Sequence, residues 1–116
     1  MKPSLLLRLE GLLVFIVALL SYTQLNGNWI LFTLLLLAPD VSMLGYLKDV
    51  KLGALTYNAI HTYALPAMLF AVSYFTGFNL GLLLSIIWFA HIGRDRLLGF
   101  GLKYPTEFRD THLQRI

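Results

Sequence analysis

Residues 52–93, LGALTYNAIHTYALPAMLFAVSYFTGFNLGLLLSIIWFAHIG, run for 42 positions without a Lys, Arg, Asp or Glu. A helix needs about 20 mostly apolar residues to cross ~30 Å of hydrocarbon, so this run is long enough for two passes. Thr76-Gly77-Phe78-Asn79 supplies the turn between them. Upstream, residues 11–39 form a second uncharged run of 29 residues, punctuated by Asn26-Gly27-Asn28. Together the two runs predict four helical spans at 4–23, 28–47, 52–75 and 79–99, with Lys48-Asp49-Val50-Lys51 separating the middle pair. Arg8 and Glu10 interrupt the start of the first span and no small-residue cleavage site follows it, so it is expected to be a span and not a signal peptide.

Across all 116 residues, 58% are hydrophobic and only 13% charged, against about 25% charged in soluble domains. That leaves too little polar surface for a soluble enzyme, a disordered chain or a nucleic-acid-binding domain. Without cysteine, there is no disulfide, thiolate nucleophile or Cys-ligated metal. The net charge of +3 has a better explanation than nucleic acid. All nine Lys and Arg fall near the N-terminus, in the 48–51 loop or from Arg94 onward, and the two opposite turns carry none. By the positive-inside rule the cation-bearing side is cytoplasmic. The expected fold is therefore all-α: an integral membrane four-helix bundle of up-down topology, with both termini cytoplasmic. Residues 1–100 form the bundle. Residues 101–116 form a polar interfacial tail that folds back on it, with Pro105 suited to a first helical turn and Phe108 and Ile116 dipping into the interface.

Ionisable groups inside a bilayer cost on the order of 2.5–3.5 kcal/mol each at a helix centre, so each calls for a reason. At ~1.5 Å rise per residue, Glu10, Asp40 and His91 lie about 12 Å from the cytoplasmic edge and His61 about 15 Å. Asp95 is one turn shallower than His91. Each span thus brings an ionisable group to a similar depth. His91 and Asp95, four apart, share one helix face, and Asn58, His61 and Thr62 make a polar stripe at i, i+3, i+4. Pro39 and Pro66 can each bend a span beside these groups.

The set suits a metal. Imidazole and carboxylate together bind zinc, manganese or iron, and a site with an open position activates water. The expected ligands are His61, His91, His112, Asp40 and Asp95, with Asp40 and Asp95 also as catalytic bases. Arg94, Arg96 and Lys103 would hold an anionic group, with Asn58, Glu10 and Thr62 in support. No soluble-enzyme motif is present.

The phrases Ala38-Pro39-Asp40-Val41-Ser42-Met43-Leu44-Gly45-Tyr46, Tyr57-Asn58-Ala59-Ile60-His61-Thr62-Tyr63 and Trp88-Phe89-Ala90-His91-Ile92-Gly93-Arg94-Asp95-Arg96 resemble a bacterial family of small integral membrane proteins, domain of unknown function 4260. So does the tail from Gly99 through Lys103-Tyr104 to Thr111-His112-Leu113. The resemblance runs nearly end to end and implies a multi-pass protein of the bacterial inner membrane, built around a shared polar site. A second likeness, in residue type alone, is to membrane-bound metal-dependent hydrolases with paired His and Asp in their helices.

Several uses of these residues stay open. One is a metal-dependent hydrolase acting on a lipid or amphiphile at the cytoplasmic face, with membrane lipids as partners. Another is a transport or binding protein with an intramembrane His/Asp proton or ion site, for which four helices would need a homo-oligomer. A b-type haem between His61 and His91 is a third. The blandest is a bundle whose polar residues only glue helices together.

Overall fold

The computed structural model describes residues 2–102, 111–113 and 115, and of residues 41–45 the backbone only. Its elements are helices α1 (Pro3–Gln24), α2 (Trp29–Leu35), a 3₁₀ segment (Ala38–Leu47), α3 (Val50–Ile60), α4 (Ala64–Thr76) and α5 (Asn79–Leu98). The chain is all-helical, with no strand among the described residues. Local chemistry sets the boundaries. Pro3 opens α1, where its missing N–H has no partner to lose. Asn28 caps α2 by accepting the Ile30 N–H at 2.8 Å, and Asp49 caps α3 by accepting the Leu52 N–H at 2.6 Å. Gly77 and Gly99 end α4 and α5 in the left-handed region, at φ of 72° and 95°, which glycine enters without Cβ strain.

The second and third spans are not the unbroken helices expected from the sequence. In the second, α2 stops at Leu35 and the chain tightens to 3₁₀ around Pro39, with the Asp40 N–H bonding Leu37 O three residues back. In the third, α3 and α4 are separated by His61-Thr62-Tyr63. Pro66 lies in the first turn of α4, where proline is tolerated, but its ring would clash with the Thr62 carbonyl of a continuous helix. The break therefore falls upstream of the proline.

The central element is α5, against which α1 and α4 pack, while α3 packs on the 3₁₀ segment. Contact between α1 and α5 is close because Gly11 meets Gly93: a Cβ on Gly93 would lie 2.7 Å from the Gly11 carbonyl oxygen. The apolar core contains Ala18, Tyr22, Phe32, Ile86, Ile87 and Ala90. The outside is apolar too: Leu13, Val17 and Leu20 on α1, Ile30 and Leu34 on α2, and Met68 and Val72 on α4 are exposed. By length and composition α1 is able to cross a membrane. The described part of the tail turns back, with the His112 N–H donating to Leu102 O at 2.8 Å. Pro105, Phe108 and Ile116 lie outside the described residues.

Candidate metal centre

The two breaks expose backbone carbonyls in an apolar interior, and side chains of α5 take them up. Once the Asp40 N–H bonds Leu37 O, the Leu36 carbonyl is left to accept from Nδ1 of His91, at 2.5 Å. At the α3–α4 break, Trp88 Nε1 donates to Ile60 O at 2.7 Å and Arg96 Nη2 to His61 O at 3.1 Å. Trp88, His91 and Asp95, spaced i, i+3, i+7, present one face of α5 to both broken spans. The bends and the polar face of α5 are one arrangement, since buried carbonyls need partners.

His61 is fixed in the same way. Its Nδ1 bonds the Tyr57 carbonyl at 2.9 Å, and its ring stacks on that of Tyr57 with centroids 3.8 Å apart. A carbonyl only accepts, so both imidazoles carry a proton on Nδ1 and turn Nε2 toward the other ring, a bare lone pair whenever the ring is neutral. Those two Nε2 atoms lie 3.0 Å apart. Around them, Asp95 Oδ2 is 3.1 Å from His91 and 3.5 Å from His61, and Asp40 Oδ1 is 3.2 Å and 3.6 Å from the same atoms. All four donor atoms lie within 4.8 Å of one another. Four lone-pair atoms facing each other repel until a proton or a cation enters. Metal bonds of ~2.0–2.1 Å in a tetrahedron give donor–donor edges of roughly 3.3–3.4 Å. The five edges above bracket that value and the sixth, between the two carboxylates, is within 4.8 Å, so Asp40, His61, His91 and Asp95, three of them buried, form a group able to hold a metal ion.

The group is asymmetric. The side chains of His61, His91 and Asp95 are at most 5% exposed, while that of Asp40 is 35% exposed. Asp95 is held from behind, its other oxygen accepting from Arg94 Nη2 at 3.0 Å. Such outer partners fix a ligand's orientation.

The family described as Domain of unknown function (DUF4260) matches residues 4–116, a span that takes in all four converging residues. The chain belongs to that family. No curated protein and no solved structure matches it.

The other residues singled out in this DUF4260 chain stand elsewhere. His112 is not in the four-atom group: its Nδ1 accepts the Leu102 N–H at 2.8 Å and its Nε2 lies 3.5 Å from Arg96. Glu10 is exposed on α1, and Asn58 and Thr62 are half-buried outside the group. Arg96 is buried, with its guanidinium on the His61 carbonyl and 5.4 Å from the Tyr63 ring centroid, so it is committed to the fold at the break. Lys103 lies outside the described residues. The carbonyl-capping roles of Trp88 and Arg96 have no signature in the sequence. The position of Tyr57, four before His61, was the available signal for the stack.

Two cavities flank α5. The larger, about 470 Å³ between α1, α4 and α5, includes Leu13, Val17, Phe70 and Phe89 in its lining and none of the four donor residues. The smaller, about 290 Å³, is lined by Pro39, Ile60 and Trp88 among others, each a near neighbour of a donor residue in the chain.

Proposed function

We propose that the chain is a multi-pass membrane-embedded hydrolase, dependent on zinc, manganese or iron and acting on an amphiphile at the cytoplasmic face. The observation that carries this reading is the convergence of two imidazole Nε2 atoms and two carboxylate oxygens within 4.8 Å of one another, three of the four residues being buried. His61, His91 and Asp95 would hold the ion, being buried and oriented from behind. When bound, the metal supplies a water of lowered pKa. Asp40, on the exposed side, would serve as the base that accepts a proton from the attacking water, leaving room for substrate. Imidazole–carboxylate donors with no thiolate favour these metals over softer ones.

Four membrane passes fit the exposed apolar faces: α1, then α2 with the 3₁₀ segment, then α3 with α4, then α5. At 22 and 20 residues, α1 and α5 reach about 33 and 30 Å. Broken helices are tolerated in a bilayer where neighbouring groups satisfy the freed carbonyls, as Trp88, His91 and Arg96 do. The cations then lie on one side, taken as cytoplasmic. Among the described residues, Asp40 is the half-exposed one of the four donors, and a site open at one donor favours an enzyme over a transport path. The 3.0 Å between the two Nε2 atoms is short of the about 4 Å that iron with an imidazole on each face requires, which disfavours haem.

The test uses the full chain, purified without a His tag and placed in lipid nanodiscs. Metal analysis should find about one divalent ion per chain, reduced at least tenfold in His61→Ala, His91→Ala and Asp95→Asn. In ¹⁸O-water with membrane lipid extract, the wild type should place solvent oxygen into an acidic product, and Asp40→Asn should do so far more slowly while keeping its metal. Single cysteines at Gln24 and Lys48 should label from opposite membrane faces. Metal content indifferent to all three ligand variants would end the hydrolase reading.

A further inference from the structure

We infer that the smaller cavity is a binding site for a single acyl chain whose ester head lies on the donor group; this rests on the hydrolase reading above. No donor residue lines the cavity, but three of its lining residues lie beside donors in the chain. Pro39 precedes Asp40, Ile60 precedes His61, and Trp88 is one turn before His91 on the same face of α5. Leu84 and Ile87 continue that face away from the donors. The cavity thus begins about 5 Å along α5 from the site. It extends toward the N-terminal half of α5, which in a four-pass arrangement runs from the bilayer midplane away from the cytoplasmic side.

The direction matches that of a lipid entering from the cytoplasmic leaflet, with the tail pointing away from that side and the ester drawn about 12 Å in from the edge to reach the donors. A ligand whose apolar end fills the cavity brings its polar end to the half-exposed side of the group, where Asp40 stands. The wall is held firm by the Trp88 bond to the Ile60 carbonyl. At about 290 Å³ the cavity has roughly twice the volume of a ~150 Å³ cavity that admits one benzene, enough for about ten to twelve carbons. That accommodates much of one chain and excludes a second beside it. The reaction class is ester hydrolysis. Water oxygen bonds to the acyl carbon and the ester C–O bond breaks. One water proton passes by way of Asp40 to the leaving alcohol oxygen, and the other leaves with the carboxylic acid. A free fatty acid is then a product and a usable probe.

Trp88 reports on the cavity directly. In a Trp29→Phe background it is the sole tryptophan. The zinc-loaded full chain in nanodiscs is titrated with stearic acid brominated at mid-chain, a contact quencher of indole. Quenching should saturate, should vanish when zinc is removed, and should need about tenfold more fatty acid in Ala38→Phe, which places a ring in the cavity from an exposed position. Zinc bound at one equivalent with quenching that rises linearly, or that ignores Ala38→Phe, overturns the acyl site and leaves the metal centre standing. Saturable quenching that persists without zinc overturns the placement of the head on the metal. A chain that binds no zinc overturns both readings.

Discussion

Among single residues, Arg94 gives the sharpest test of how the donor group is held. Asp95 faces both imidazoles with one oxygen and Arg94 with the other, so the guanidinium fixes the rotation of the carboxylate. Outer partners of this kind are worth 10–100-fold in metal affinity. Arg94→Ala should therefore weaken zinc binding about 10–100-fold in a chelator competition, while leaving the helical circular dichroism unchanged. An unaltered affinity would mean that Asp95 is held by packing alone. The donor residues were legible in the sequence for a simple reason: ionisable groups stand out against uncharged runs of 42 and 29 residues. His112 fitted the same pattern by type, but nothing in sequence spacing measures where a tail returns. Its ring meets Leu102 and Arg96 instead.

At the scale of elements, the two broken spans decide the geometry. Hydropathy alone reads 28–47 and 52–75 as continuous, because a bilayer-length apolar run looks the same whether or not its helix is interrupted. The prolines announced bends, yet Pro66 acts on the carbonyl four residues earlier, so the break appears at His61-Thr62-Tyr63. The capping of that break by α5 was not legible either. A guanidinium or indole aimed at a backbone carbonyl has no motif, and Arg94 with Arg96 reads equally well as an anion site. Trp88→Phe separates capping from packing, since it removes the indole N–H and keeps an aromatic ring. The Ile60 carbonyl would then be buried without this donor, at a cost of about 1–3 kcal/mol. Reversible unfolding in mixed micelles should show a loss of that size, and a loss near zero would mean that the break closes by itself.

For the whole molecule, the question is how the tail is kept against the bundle. Thr111 and Leu113 are buried, and His112 links the tail to the end of α5 through Leu102 and Arg96. Burial, and then the Arg96 charge, hold the His112 pKa below its ordinary value, with the Leu102 backbone pulling more weakly the other way. A depressed histidine pKa means that the docked tail binds fewer protons than the released one. Docking is therefore at full strength above the released value of about 6.5 and weakens as the pH falls below it, by at most about tenfold per pH unit for one linked proton. Protonation would also put a hydrogen on the Nδ1 atom that now accepts the Leu102 N–H, and a second positive charge beside Arg96. The cysteine-free chain allows a spin label at Arg115→Cys, an exposed position four residues after Thr111. The label should be immobile at neutral pH and gain mobility progressively below about 6.5. His112→Asn keeps an acceptor for the Leu102 N–H but cannot titrate, so it should hold the label immobile throughout. If the asparagine variant releases the label over the same pH range as the wild type, some other group controls the tail, and the Arg96–His112 contact is incidental to docking.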